Sequence, residues 1–253
     1  MRIATWNVNG IRARQAQVEE WMARERPDVV CLQEIKVPSA QVPLPLGAMD
    51  DYWCYWHGER AYSGVALHVR KALSLQRPVC SHPGFDHENR IAAVEVGGVT
   101  VASVYVPNGG KDFPAKLRFL EAMVDYAAGL HAAGTALVMC GDLNVARSER
   151  DVHPRERKPA AIGQLPEERA LFERLLAAGG LVDVGRAQDP ANDQLFTWWA
   201  PWRNMRQRNI GWRLDYVLAS EALAARAVSC TVSPEVGTSD HAPVLAEFQP
   251  LSS

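Results

Sequence analysis

Val138-Met139-Cys140-Gly141-Asp142-Leu143-Asn144 is a short apolar run that ends in a carboxylate and an amide two residues apart. The arrangement recurs along the chain. Ile3-Ala4-Thr5-Trp6-Asn7-Val8-Asn9 ends in amides, Val30-Cys31-Leu32-Gln33-Glu34 ends in a carboxylate, and Ser239-Asp240-His241 leads into the apolar run Val244 to Phe248. Runs of this length read as buried strands. Val99 to Val106, Leu214 to Leu218 and Val228 to Val232 extend the set. Between them lie segments with helical spacing: Val18, Trp21 and Met22 ahead of Pro27; Leu117, Leu120, Met123, Val124 and Ala127; and Glu167 to Ala178, stopped by Gly179-Gly180. Strands interleaved with helices predict a layered α/β domain, in which polar strand ends can converge.

The wider composition agrees. With 253 residues, 47% of them hydrophobic and 22% charged, the chain has the make-up of a globular protein and can bury a sizeable core. One domain over residues 1–253 is expected. The net charge of −2 excludes a uniformly basic protein, so any contact with nucleic acid has to come from a local patch. Five cysteines (Cys31, Cys54, Cys80, Cys140 and Cys230) lie far apart without a CxxC pair, which points to a reducing compartment. No stretch approaches a membrane span and the start carries no targeting pattern, so a soluble cytoplasmic protein is expected.

Two segments interrupt the alternation. Arg147 to Lys158 packs six basic residues, counting His153, among acids and a proline, as a solvated loop would. Gln194 to Leu214 holds Arg203, Arg206, Arg208 and Arg213 with Trp198, Trp199, Trp202 and Trp212 and no acid. That mixture is either core indoles beside surface guanidinium groups or a surface that grips phosphates and splayed nucleotides.

Each polar strand end has a bland explanation by itself. Gly141-Asp142 and Ser239-Asp240 can be turns, Glu34 a solvated acid, and Asn7 a bridge between backbone groups. Together they form an oxygen-rich set that suits Mg²⁺ or Mn²⁺. Zinc is disfavoured by the lack of HExxH and of cysteine ligand spacing. GxSxG, GxxxxGK[ST] and a strand-borne GxGxxG are also missing, which removes serine-hydrolase, P-loop and dinucleotide readings.

In order along the chain, Trp6-Asn7-Val8-Asn9-Gly10-Ile11-Arg12-Ala13, Leu32-Gln33-Glu34-Ile35-Lys36, Tyr62-Ser63-Gly64-Val65, Tyr105-Val106-Pro107-Asn108-Gly109, Gly141 to Asn144, Gly211-Trp212-Arg213-Leu214-Asp215-Tyr216 and Ser239-Asp240-His241-Ala242-Pro243 resemble the exonuclease III family of abasic-site endonucleases. That family lies within the DNase I-like endonuclease/exonuclease/phosphatase superfamily. The resemblance implies a four-layered α/β sandwich of two packed, mainly antiparallel sheets flanked by helices. It also implies a monomeric, Mg²⁺-dependent phosphodiesterase, with Mn²⁺ able to substitute, that cuts double-stranded DNA 5′ to abasic sites. Activity on 3′-blocked ends, as exonuclease, phosphatase or phosphodiesterase, comes with it. A superfamily enzyme acting on phospholipid or inositol phosphates is the alternative; no membrane contact is expected of the leading reading.

By the same resemblance Glu34 is the principal metal ligand, with Asn9 and Asp240 beside it. Asp142 orients or deprotonates the attacking water, steadied by Asn144, and His241, held by Asp215, contacts the scissile phosphate. Tyr105, Asn7 and Asn108 position phosphate. Arg12, Tyr62, Lys111 and Arg206 fall on the DNA face, and Trp198, Trp212 and Leu214 on the wall of a pocket for the abasic sugar. The casting answers a chemical need, because a phosphodiester resists attack until charge on its oxygens is offset and a water is aligned. One departure stands out: relatives often carry asparagine ahead of the glycine matching Gly163, where this chain has Lys158-Pro159-Ala160-Ala161-Ile162. The Arg147 to Lys158 run is the candidate electrostatic replacement.

Overall fold

The computed structural model describes residues 1–249. In chain order the strands are β1 (Arg2–Asn7), β2 (Val29–Gln33), β3 (Tyr52–His57), β4 (Val65–Arg70), β5 (Cys80–Ser81), β6 (Ile91–Val96), β7 (Val99–Tyr105), β8 (Ala136–Asp142), β9 (Leu181–Asp183), β10 (Asp215–Ser220), β11 (Ala227–Val232) and β12 (Val244–Phe248). The helices are α1 (Ile11–Glu25), α2 (Leu44–Gly47), α3 (Phe113–Ala132), α4 (Pro166–Gly179), α5 (Val184–Gln188) and α6 (Glu221–Ala224). The strands form two six-stranded sheets, ordered β11-β12-β1-β2-β4-β3 and β5-β6-β7-β8-β10-β9. Only β1 with β2 and β7 with β8 run parallel, so the sheets are mainly antiparallel, as expected.

Parallel neighbours need a crossover, and α1 and α3 supply it for the two pairs. Each helix covers the outer face of its own sheet. Val18, Trp21 and Met22 of α1 pack on Ala4, Trp6, Val30 and Leu32. Phe119, Leu120 and Met123 of α3, with Leu171, Phe172 and Leu175 of α4, pack on Ala102, Val104, Leu137 and Met139. Between the sheets Ile3, Val29, Cys31, Leu67, Val101, Val138, Cys140 and Val217 form a third apolar layer. The four layers are therefore helix, sheet, sheet, helix. Central strands covered on both faces read as continuous apolar runs, which is why all five residues of β2 are buried.

The apolar runs did not announce the edge strands β3, β5 and β9, nor β4 and β6, the inner neighbours of β3 and β5. Of these, β6 and β7 form a hairpin closed by Gly97 and Gly98, both at positive φ.

The topology brings the functional strand ends to one rim. Asn7 is opposite Gln33 across the first parallel pair, Tyr105 is opposite Asp142 across the second, and Asp215 is opposite Asp142 on the other side. Gly141 lets β8 approach β7 there, since a Cβ at this residue would lie 1.8 Å from the Val104 carbonyl oxygen. A buried chain of hydrogen bonds joins the sheets nearby: Thr5 Oγ1 donates to Gln33 Oε1 (3.0 Å) and Gln33 Nε2 to Ser103 Oγ (3.1 Å).

Candidate active site

Asn7 occupies the centre of the rim. Its Nδ2 donates to Glu34 Oε1 (2.8 Å) in the first sheet's half of the molecule and to Asp142 Oδ2 (2.9 Å) in the second, while its Oδ1 accepts from the Asn9 N–H (3.0 Å). Both amide hydrogens are thus committed to carboxylates. Its side chain ties the two acids together.

From Glu34 the contacts run outward along one wall. Lys36 Nζ lies 2.6 Å from Glu34 Oε2 and donates to Asn9 Oδ1 (2.6 Å). Asn9 Nδ2 donates to Asp240 Oδ1 (2.8 Å), and Trp198 Nε1 to Asp240 Oδ2 (3.0 Å). Burial by itself would raise the Glu34 carboxyl, but the Asn7 hydrogen bond and the Lys36 ammonium outweigh it and hold the group below its ordinary range. Lys36 was visible two residues beyond Glu34 in the sequence, yet that spacing does not reveal that the ammonium turns back onto the acid.

The other wall is built on β8 and β10. Asp142 Oδ1 accepts from the Asn144 N–H (2.9 Å), and Asn144 Nδ2 donates to the Val106 carbonyl (2.9 Å) and lies 3.3 Å from Asp142 Oδ2. His241 Nδ1 lies 2.8 Å from Asp215 Oδ2, and its Nε2 lies 3.7 Å from Asp142 Oδ2. Thr197, which no sequence motif singled out, donates to Asp215 Oδ2 (2.6 Å) and accepts from the backbone N–H groups of Leu214 and Asp215 (3.0 Å each). Burial opposes charge on His241, but Asp215 and Asp142 overcome this and raise its proton affinity. Asp142 is also raised, chiefly by burial and then by crowding from Asp215 and Glu34, with His241 pulling the other way. Tyr105 is raised by burial and by the charges of Glu34 and Asp142, so it keeps its phenol proton.

These groups open into a pocket of about 270 Å³. Glu34, Asp142 and His241 lie at its polar end with Tyr105, Asn108, Asn144 and Asp240; Trp198, Trp212 and Leu214 supply an apolar wall, and Ile162 and Gly163 the rim. Lys116, fully buried and paired with Glu168 of α4, donates to the Asn144 carbonyl (2.7 Å) and the Asn108 carbonyl (3.3 Å), fastening the two asparagine loops to the helices.

Four expected substrate contacts lie outside this pocket. Arg12 donates to Gln41 Oε1 (2.7 Å). Tyr62 is exposed, takes a hydrogen bond from Arg90 Nη2 (2.9 Å), and has Lys111 Nζ 5.8 Å from its ring centre. Arg206 donates to the carbonyls of Pro234 (2.7 Å), Val236 (2.9 Å) and Ser239 (2.5 Å), and so clamps the loop before Asp240. The Arg147 to Lys158 run does not stand in for the missing asparagine either. No residue of it lines the pocket; Arg147 pairs with Glu173 and Asp183, and the run's Asp151 is buried against Arg213 and Arg186.

Glu34, Asp142 and His241 each present a ligand atom within 4.8 Å of the others. Four carboxylates (Glu34, Asp142, Asp215 and Asp240) face two cationic groups, Lys36 and His241, and the buried Asp215 Oδ1 has no hydrogen-bond partner. An oxygen-rich cluster short of positive charge, with a lysine ammonium already drawn into it, fits a hard divalent cation. The arrangement combines groups that hold a cation, accept a proton and donate a hydrogen bond to an anion, the combination phosphoester hydrolysis requires.

The fold and this site define a phosphoesterase class. Residues 4–241 match the Endonuclease/Exonuclease/phosphatase family, and the chain belongs to it. It is an enzyme of the exodeoxyribonuclease III type within that family. It is 32% identical to exodeoxyribonuclease III of Haemophilus influenzae, over 98% of this chain and 100% of that one. Its structure is similar to an AP endonuclease from Archaeoglobus fulgidus, with a TM-score of 0.89 and 30% identity over 99% of this chain and 100% of the other. It is similar as well to a Neisseria 3′ phosphatase bound to product DNA hairpin, with a TM-score of 0.88 and 32% identity over 98% and 99% of the two chains. No helix among the described residues is long and apolar enough to cross a membrane.

Proposed function

We propose that the chain is a monomeric, Mg²⁺-dependent DNA-repair phosphodiesterase that cuts duplex DNA 5′ to abasic sites and removes 3′ blocking groups, with Mn²⁺ able to replace Mg²⁺. The observation that carries this reading is one amide, Asn7, joining Glu34 to Asp142 beside an Asp215-held His241, at the polar end of a pocket walled by two indoles. The names of the relatives support the substrate class.

Glu34 holds the cation, with Asp240 and Asn9 at its edge; when bound, the ion supplies charge to the non-bridging phosphate oxygens. Asp142 accepts the proton of the attacking water, a task suited by a carboxylate whose proton affinity burial and neighbouring acids have raised. His241 carries the opposite task. Asp215 at Nδ1 fixes the tautomer and favours the charged ring, so Nε2 donates to the phosphate. Tyr105, as a neutral phenol, and Asn108 place the phosphate against these groups. Trp198, Trp212 and Leu214 receive the sugar turned out of the helix, and a nucleoside is excluded by bulk; unstacking costs least where the base is missing.

The test is a duplex carrying one tetrahydrofuran abasic analogue, incubated with Mg²⁺ or with chelator and resolved by product size. Incision at the analogue that needs Mg²⁺ is expected, and full activity in excess chelator refutes the reading. Asp142→Asn and His241→Asn should each lower kcat by at least roughly 10²-fold while DNA affinity falls far less. Parallel loss of binding and rate would remove the catalytic role from the residue concerned.

A further inference from the structure

Among the described residues a second group of metal-binding side chains lies away from the pocket: His57, His82 and Asp86, whose ligand atoms all fall within 4.8 Å of one another. They come from two places in the sandwich. His57 ends β3, the edge strand of the first sheet; His82 directly follows β5, the edge strand of the second; Asp86 is in the loop between β5 and β6. The imidazoles are stacked, with ring centres 3.7 Å apart and planes 19° from parallel. Asp86 Oδ2 lies 2.5 Å from His57 Nε2. His82 Nδ1 lies 3.1 Å from the Ile91 carbonyl, to which it can only donate, so its Nε2 keeps a free lone pair. A ring N–H anchored on a carbonyl is the usual support behind a metal-bound histidine.

We propose that His57, His82 and Asp86 form a second metal site, selective for a borderline divalent ion of the Zn²⁺ class, that clips the edges of the two sheets together. The donor set decides the class. Two imidazoles and one carboxylate suit zinc, whereas Mg²⁺ prefers oxygen throughout, as at Glu34 and Asp240. Tetrahedral zinc with bonds of about 2.0–2.1 Å brings its ligand atoms to roughly 3.4 Å apart, so binding requires the His57–Asp86 pair to open from 2.5 Å and the two stacked rings to splay toward the ion. His82 is exposed, so its ring can swing about the Ile91 anchor to make this change. Three protein ligands leave a fourth position for water.

The site has a route to Tyr62 and Tyr105. The second oxygen of Asp86, Oδ1, accepts from the backbone N–H groups of Arg90 (2.8 Å) and Ile91 (3.1 Å). The Arg90 guanidinium lies over the Tyr105 ring (4.7 Å) and donates to Tyr62. Fixing Asp86 therefore fixes the residue that braces both tyrosines. This inference does not depend on the reaction proposed above.

The experiment uses the full chain, stripped of metal and titrated with Zn²⁺ in a calorimeter in excess Mg²⁺, with Co²⁺ as a visible-absorbance probe. One equivalent of Zn²⁺ should bind, Co²⁺ should give a d–d band, and saturating Zn²⁺ should raise Tm by roughly 5–10 °C for a ligand at about a hundred times its Kd. His82→Gln, on an exposed side chain, should lose all three responses while keeping Mg²⁺-supported activity. Glu34→Gln should keep them. Retention of the equivalent in His82→Gln, its loss in Glu34→Gln, or the absence of binding by the wild type each overturns the proposal; the last leaves His57 and Asp86 as an ion pair only.

Discussion

Trp212→Ala separates a pocket wall from a packing residue. The indole is half-buried, edge-on to Trp198 with ring centres 5.8 Å apart and planes at 82°. Gly163 packs beneath it, and Nε1 has no hydrogen-bond partner, so truncation orphans no polar group. The Trp212 backbone, which bridges to Val152 and Trp198, is untouched by the change. An aromatic side chain of this kind buries about 200 Å² when fully enclosed; half of that, at about 25 cal/mol per Å², amounts to about 2.5 kcal/mol. For a chain of this length the corresponding fall in Tm is roughly 5–10 °C, below the effect of about 3–5 kcal/mol expected for a wholly buried tryptophan. The pocket, by contrast, loses most of one wall and grows well beyond its 270 Å³. An intact nucleoside then fits, and the abasic-to-intact cleavage ratio should fall at least about tenfold, the lower end of what an apolar pocket contributes to discrimination. Both quantities are to be measured on one preparation, by thermal unfolding and by incision of matched duplexes with and without the tetrahydrofuran analogue. A large drop in Tm with an unchanged ratio refutes the wall assignment.

The remaining expectations concern charge. Lys111→Ala, which removes an ammonium beside exposed Tyr62, should weaken binding to damaged and intact duplex alike and reduce the salt slope by about one. Arg206→Met should leave the slope alone and lower kcat, since its guanidinium holds the loop that carries Asp240; a slope changed by one would return Arg206 to the phosphate contacts. His68 is fully buried against Trp56 and Tyr52, neither ring nitrogen has a partner, and burial lowers its pKa from 6.5 to about 4. The unfolded chain therefore takes up this proton first, so stability is complete above pH 6.5 and declines as pH falls toward 4, by about 3 kcal/mol in all. Urea unfolding of His68→Phe at pH 7 and pH 4.5 should lack most of that decline, and a variant as acid-sensitive as the wild type would show that His68 does not cause it.

The central strands were legible because burial on both faces forces long apolar runs, and the helices because one face each is apolar. The edges were harder. Tyr52–His57 is strand by virtue of its pairing with β4, and its aromatic run has no alternation to announce it. Two-residue β5 carries no periodicity. Within the site, the type of each strand-end residue was readable, and Glu34, Asp142, Asn144, Asp240 and His241 do meet. What the sequence could not show was where donors are spent. The four arginines of the Trp-rich segment look alike as letters, yet Arg213 is buried on Asp151 and Asp183, Arg206 is consumed by carbonyls, and Arg203 and Arg208 face solvent. Lys116, a letter that no motif singles out, is a buried cation on Glu168.

Asn7 shows why the site has to be read from both sheets at once. Glu34 and Asp142 stand on opposite sheets, and without a donor between them two carboxylates would repel across the rim. One amide satisfies both, and an aspartate of nearly the same shape would satisfy neither, because it brings an acceptor and a third negative charge. The separation of Glu34 from Asp142 is therefore set by two hydrogen bonds from a single side chain, at 2.8 and 2.9 Å. A shear of one sheet over the other would strain both of these hydrogen bonds. The Thr5–Gln33–Ser103 chain beneath the rim resists that shear from inside the core, and the His57–His82–Asp86 group is placed to resist it from the edge.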